Sequence, residues 1–264
     1  MERLLVLRLQ SVGVAAEALI NGVPVARTGP GLPVAAVPIH EFTLAGANEL
    51  ELVIQPPPPG QAAAPEPWLS DGQCGASLRL LLPRTGQLAH PENARTLALL
   101  EWAPVAGDVS EVPATLRSSV DLPIAFPRWR WLDAPVLDDL PSLRAPLATY
   151  LQCLALGLMR GDVEPLLLAA RLRLEDLAQA YQRSLADDVG RLRLQVQQWH
   201  ARQPLKPLMP KADTLRLRAV AGGRLLECLA PDGSPALQSA VAGGGRVAWP
   251  VRVAMIEGRF YVLR

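Results

Sequence analysis

Residues 122–141 read LPIAFPRWRWLDAPVLDDLP, and the spacing of apolar residues changes across this stretch. Before it, apolar residues alternate from Leu5 to Leu9 with the period of two that is typical of a half-buried strand. After it, apolar residues recur at three- and four-residue steps from Leu143 to Leu158, as on one face of a helix. The prolines within the stretch oppose both helix and sheet. The sequence therefore predicts a domain at 1–125, a linker or seam at 126–141 and a domain at 142–264.

The first predicted domain is all-β. Asn21-Gly22 lies between the apolar runs Ala18–Ile20 and Val23–Val25, and both residues tolerate the positive φ of a two-residue hairpin turn. Pro24 cannot donate a ladder hydrogen bond, which places its strand at an edge or a bulge. Several short strands separated by turns favour a β-sandwich. The other predicted elements are strands at Leu50–Ile54, Ser77–Leu82, Thr96–Trp102 and Thr115–Leu122, and an extended loop at Gln55–Pro67.

Two segments of this half, Ile20–Val25 and Pro38–Leu52, contain an Asn-Gly hairpin, then a strand into a Gly-x-Asn turn, then an alternating strand. This order resembles the galactose-binding-like jelly-roll domains. The resemblance implies a jelly-roll sandwich and, as in the sugar-binding members, a carbohydrate site in which aromatic side chains on loops stack on the ligand. This half has few aromatic residues beyond Phe42, Trp68 and Trp102.

The second predicted domain places helices first and strands last. Apolar stripes predict three helices, and the first begins between Ser142 and Pro146, because proline suits the first turn. The second stripe runs from Leu174 to Leu185 and the third from Val189 to Trp199. This order indicates an α+β domain with helices packed on an antiparallel sheet. The predicted strands are Leu215–Arg218, Arg224–Ala230, a long strand at Val247–Met255, and Phe260–Leu263, with a turn at Gly243–Gly245.

The final strand-turn-strand, Arg252–Leu263, is similar to the end of the nuclear-transport-factor-like cone. In that fold a curved sheet wraps around helices and leaves a pocket, and acids of the sheet can act as bases there. The resemblance therefore implies Asp213, Glu227 and Glu257 as candidate catalytic residues.

Composition narrows the classes of function and partner. The formal net charge is +1, so no global field attracts nucleic acid or an anionic membrane. Arginine far outnumbers lysine, and with abundant Ala, Leu, Pro and Gly this indicates a GC-rich bacterial genome. The longest apolar helical stretch, Leu147–Met159, is shorter than the roughly 20 residues that cross a bilayer. The start lacks a signal-peptide core. We therefore expect a cytoplasmic protein without nucleic-acid or membrane partners.

The sequence contains no motif for a disulfide framework, a metal or a cofactor. The cysteines are far apart and odd in number, and no histidine pair has metal-ligand spacing. A Gly-rich phosphate loop and a Gly-x-Ser-x-Gly elbow are both missing from the sequence. We therefore expect no cofactor. The residues concerned are Cys74, Cys153, Cys228, His40, His90 and His200.

The string from Arg128 to Trp131 combines two residue types that are enriched at binding hot spots. If it is extended, Trp129 and Trp131 share one face, while Arg128 and Arg130 share the other. We predict an interaction site at these four residues. The alternative is that the two tryptophans fill a seam between the domains and leave the arginines in solvent.

Three functions fit these observations. The leading hypothesis is a non-enzymatic bacterial protein-interaction module, of the accessory or immunity type, whose partner is another protein. The second is a small-molecule binder or an enzyme with a pocket in the C-terminal domain. The third is carbohydrate binding by the N-terminal sandwich.

Overall fold

The structure is a computed structural model that describes residues 4–56, 74–84, 86–104, 112–123, 126–241 and 245–264. The chain divides into two compact units, residues 1–127 and 128–264. Within the described ranges, fifteen strands pair antiparallel and four α-helices form. The fold is therefore mostly β.

The first unit contains eight strands in two four-stranded antiparallel sheets. The strands are β1 Val6–Val12, β2 Ala15–Ile20, β3 Val23–Thr28, β4 Val34–Pro38, β5 Gly46–Gln55, β6 Gly75–Pro83, β7 Ala94–Trp102 and β8 Ala114–Leu122. One sheet has the order β4-β1-β6-β7 and the other has the order β3-β2-β5-β8. The pair of sheets is sandwich-like.

Alternation along the central strands buries one face of each sheet. Leu7 and Leu9 of β1 are fully buried, and so are Leu50, Leu52 and Ile54 of β5. Burying such a side chain stabilises the fold by about 1.5–3 kcal/mol. The period of two predicted for these two strands is confirmed.

The predicted hairpin at Asn21-Gly22 is confirmed. Asn21 and Gly22 have φ of 52° and 73°, and they join β2 to β3. Pro24 lies on β3, which is an edge strand, and the register shifts between Ala18 and Leu19, opposite this proline. Both expected adaptations to the proline, an edge and a bulge, are therefore present.

The Gly-x-Asn segment was predicted as a turn, but Gly46, Ala47 and Asn48 open strand β5. The segment before it also differs from the strand that the jelly-roll resemblance implies. His40–Phe42 is a short 3-10 helix. His40 Nε2 accepts a hydrogen bond from the Leu5 backbone N–H at 2.9 Å, and Thr43 Oγ1 donates one to the Ile39 carbonyl at 2.8 Å. The Thr43 bond is local and favours a turn over an extended strand, and the His40 bond ties this turn to the residue before β1.

The second unit contains four helices and seven strands. The helices are α1 Leu140–Met159, α2 Glu164–Ala169, α3 Arg171–Tyr181 and α4 Leu185–Arg202. The strands are β9 Lys206–Pro207, β10 Arg216–Val220, β11 Leu225–Leu229, β12 Leu237–Ala240, β13 Arg246–Trp249, β14 Arg252–Ile256 and β15 Arg259–Val262. They form a four-stranded sheet, β10-β11-β14-β15, and a three-stranded sheet, β13-β12-β9.

The apolar stripe of α1 forms the centre of this unit's core. Leu147, Leu151 and Leu158 are fully buried in one cluster that also contains Leu226 of β11 and Val253 of β14. Helix and sheet therefore share a hydrophobic core within the unit.

The predicted start of the first helix is wrong. The helix begins at Leu140, and the Asp139 carboxylate caps it by accepting a hydrogen bond from the Ser142 backbone N–H at 3.3 Å. Pro141 occupies the first turn and Pro146 lies inside the helix. Apolar burial along α1 stabilises the helix by more than the loss of the one backbone hydrogen bond that Pro146 cannot donate.

The stripe from Leu174 to Leu185 was predicted as one helix, but the chain breaks within it. α3 ends at Tyr181 because Gln182 adopts a left-handed conformation, with φ of 50°. α4 then begins at Leu185, where Ser184 Oγ accepts a hydrogen bond from the Asp187 backbone N–H. None of the three predicted stripes covers α2, so the unit has four helices and not three.

The predicted long strand Val247–Met255 is also wrong. Pro250 separates β13 from β14, and these two strands belong to different sheets. A proline lacks the N–H that a continuous ladder needs, which explains the break.

Some predictions fall outside the described residues. These are positions 57–67 of the predicted loop, Trp68, and positions 243 and 244 of the glycine turn. In the part of the chain that the structure describes, no helix is both long and apolar enough to cross a membrane.

Candidate binding groove

The string Arg128–Trp131 does not form an extended ribbon. Arg130–Asp133 is a 3-10 helix, and Trp129 and Trp131 are 0% and 2% exposed. The guanidinium carbon of Arg264 lies 5.9 Å from the centroid of the Trp129 ring. The two indoles are therefore buried and present no exposed docking face.

The two arginines of this string form ion pairs inside the second unit. Arg130 donates to Glu175 at 2.6 Å and to Asp176 at 3.2 Å, both on α3. Arg128 donates to Asp133 at 2.7 Å on the surface. The string is thereby attached to α3 of its own unit.

Asp176 connects this string to the end of the sequence. Its other oxygen accepts a hydrogen bond from Arg264 at 3.1 Å, and Asp176 and Arg264 are 3% and 1% exposed. Burial raises the pKa of Asp176, and the guanidinium groups of Arg264 and Arg130 oppose that shift. This cluster is a structural ion-pair network within the unit.

The three candidate acids lie on different elements. Glu227 is buried on β11, where Arg218 and Arg252 pair with its oxygens at 2.6 and 3.2 Å. Asp213 lies in an exposed turn before β10, and Glu257 lies in the exposed β14–β15 turn with φ of 50°. None of the three lines the groove described next.

A groove of about 510 Å³ lies in the second unit, between the helices α3 and α4 and the strands near Pro250. Its lining comes from three helices, α2, α3 and α4, from two strands, β13 and β15, and from their connections. The lining residues are Leu166, Ala170, Arg173, Leu174, Leu177, Arg183, Asp188, Arg191, Leu192, Gln195, Trp199, Ala248, Trp249, Pro250, Val251 and Val262.

The floor and one wall of the groove are apolar. Leu174, Val251 and Val262 are buried beneath it. Trp199 of α4 and Trp249 of β13 are half-buried, with ring centroids 5.8 Å apart and planes at 73°. An edge-to-face pair of this kind stabilises the aromatic wall.

The rim of the groove is rich in arginine. Asp188 of α4 is 8% exposed and pairs with Arg183 at 3.3 Å and with Arg191 one turn away. The guanidinium carbon of Arg183 also lies 4.9 Å from the ring centroid of Tyr181. Arg173 also lines the groove, whose lining therefore holds three arginines and one aspartate.

Sequence analysis missed this groove. Trp199 and Trp249 are far apart in the chain and were read only as members of a helix stripe and a strand. One signal was available: Asp188, Arg191, Gln195 and Trp199 recur at three- and four-residue steps, so one face of α4 mixes charge with an aromatic residue.

Across the described ranges, no group of three or more His, Cys, Asp or Glu residues could hold a metal ion. Of the aromatic residues considered for a sugar site, Phe42 is 6% exposed and Trp102 is half-buried. The groove of the second unit is thus the best-defined candidate site.

No protein-family model, curated protein or solved structure matches this chain.

Proposed function

We propose that this chain is a non-enzymatic bacterial protein-interaction module, and that it binds its partner protein in the groove of the second unit. The observation that carries the proposal is the meeting of the Trp199–Trp249 wall with the arginines of the rim. Tryptophan and arginine are the residues most enriched at interface hot spots. An accessory or immunity-type role in the cytoplasm fits a function of this kind.

Charge pairing supports binding over catalysis. Asp188, the acid of the groove, is held between Arg183 and Arg191, and Glu227 is held between Arg218 and Arg252. Each carboxylate therefore already has two guanidinium partners within the protein. Both acids therefore fit structural roles.

The fold of each unit is part of the same proposal. We propose that the sandwich-like first unit is a jelly roll, and that the second unit is an α+β domain related to the nuclear-transport-factor-like cone. The 3-10 helix at His40–Phe42 and the sheet break at Pro250 are departures that this description must accommodate.

Photo-crosslinking in the native host tests the proposal. Gln195 and Gln197 are both exposed on α4, but only Gln195 lines the groove. A photoreactive phenylalanine analogue at position 195 should crosslink a partner that the analogue at position 197 does not. The purified partner should then bind a Trp249→Ala variant at least tenfold more weakly than the wild type. Identical crosslinking from both positions would contradict the proposal.

A small-molecule ligand is the second candidate, because the groove volume of about 510 Å³ lies within the ordinary range for such sites. This alternative predicts a bound compound when the purified protein is analysed by native mass spectrometry. It also predicts that Trp249→Ala reduces the bound fraction. A native mass spectrum that shows only the mass of the protein itself would remove this candidate.

A further inference from the structure

We propose that the groove binds an amphipathic helical segment of a protein partner, with apolar side chains on the floor and acidic side chains against the arginine rim. This inference rests on the proposed function and specifies the chemistry of the partner. It draws on the charge, the length and the strand edge of the groove.

The charge of the rim selects acidic groups. Asp188 offers two oxygens, whereas Arg183 and Arg191 each carry five N–H donors. The two arginines therefore keep N–H groups that can donate hydrogen bonds to a ligand carboxylate. The ion pairs with Asp188 also hold the two guanidinium groups in place before binding. A pre-organised arginine loses less side-chain freedom on binding than a mobile one.

The spacing of the arginines selects an extended ligand. Arg173 lies near the start of α3 and Arg183 just beyond its end at Tyr181. Eight helical steps separate Arg173 from Tyr181, which at about 1.5 Å per residue span about 12 Å. Two turns of a helix, about 11 Å, can present acids to both ends.

The strand side of the groove disfavours an added β-strand. Ala248, Trp249, Pro250 and Val251 form this side, and Pro250 has no N–H to donate to an incoming strand. The floor between α3 and α4 instead suits the helix-in-groove mode, with apolar anchors at positions i, i+3 or i+4, and i+7. Leu174, Leu177 and Leu192 lie where those anchors would pack.

Peptide display on the full chain tests the inference. The probe is a phage library of random peptides of about 16 residues, enough for about four helical turns. We expect the enriched peptides to combine acidic residues with apolar residues at helical spacing. Their affinity for wild type and variants is then measured by fluorescence anisotropy at low and high salt.

Charge reversal provides the decisive comparison. Arg191→Glu should weaken the selected peptides at least tenfold and flatten their salt dependence. Arg202→Glu on the same helix, outside the groove, should have little effect. A peptide with its acids changed to lysine should bind Arg191→Glu better than wild type. That rescue also shows that the variant is folded, and Arg173→Glu provides a second test.

The outcomes separate this inference from the proposed function. Peptides that are not acidic, yet lose binding in Trp249→Ala, would overturn the acidic helix and leave the groove as an interaction site. Peptides that bind Arg191→Glu and Trp249→Ala like the wild type would overturn both. A library without any enriched family would overturn the acidic helix, and the crosslinking at Gln195 would then decide the function independently.

Discussion

The side-chain amide of Asn21 donates a hydrogen bond to Oδ1 of Asn48 at 2.9 Å and so joins the hairpin turn to the start of β5. Asn48 is 1% exposed, and its other bonds run to the Leu44 backbone N–H and to the Leu44 and Gly46 carbonyls. The hairpin turn and the start of β5 therefore share one polar network in the first unit.

Loss of the Asn48 side chain should destabilise the first unit. An unsatisfied buried polar group costs about 1–3 kcal/mol, so we expect Asn48→Ala to lower the free energy of unfolding by about 3 kcal/mol. Asn21→Gly keeps a residue suited to φ of 52° while removing the side-chain bonds, and should cost less. Chemical denaturation followed by circular dichroism measures both. An equal loss in the two variants would contradict the central role of Asn48.

The Asp176–Arg264 pair should contribute far more to stability than the Arg128–Asp133 pair. Asp176→Ala leaves the Arg264 guanidinium buried without this partner, and breaking a buried pair costs about 3–5 kcal/mol. Asp133 is exposed, so Asp133→Ala should leave the unfolding midpoint almost unchanged. Equal midpoints for Asp176→Ala and wild type, measured by denaturation in guanidinium chloride, would contradict this assignment.

Local signals predicted much of the first unit. Alternation from Leu50 to Ile54 predicts a strand because side chains alternate across a sheet, and Asn21-Gly22 predicts a hairpin because both residues tolerate positive φ. Such rules act within a few residues. Pro250 was an equally local signal for a sheet break, and the apolar residues on either side of it concealed that signal.

The site could not be predicted in the same way. The Trp199–Trp249 wall depends on how α4 packs against the β13–β14 turn, which no local pattern specifies. Conversely, the conspicuous Trp129 is buried, because its large apolar surface gains more from the interior than from solvent. The unusual string from Arg128 to Trp131 therefore contains a buried structural residue. The groove is formed by residues that did not stand out in the sequence.

Cys153 and Cys228 should differ sharply in reactivity. Burial raises the pKa of Cys228 to about 12, with Glu227 adding to the shift, whereas Cys153 is exposed on α1. The thiolate is the reactive form, so at about pH 8 iodoacetamide should modify Cys153 quickly and Cys228 only after denaturation. Mass spectrometry of labelled peptides measures both rates, and Cys153→Ser is the control. Rapid labelling of native Cys228 would contradict its burial.

Two helical glycines should respond oppositely to the same substitution. A glycine inside a helix costs about 1 kcal/mol relative to alanine, so Gly190→Ala in α4, with no atom near the added Cβ, should stabilise the protein by about that amount. At Gly157 in α1 the added Cβ would lie 2.9 Å from the Asp162 carbonyl oxygen, which is too close, so this backbone atom would have to move. Moving that carbonyl would disturb the α1–α2 junction, where the Asp162 backbone N–H donates to the Gly157 carbonyl at 2.9 Å. We therefore expect Gly157→Ala to lower the thermal unfolding temperature and Gly190→Ala to raise it. Shifts of the same sign in a thermal melt would show that helix propensity, and not the close approach, decides the effect at Gly157.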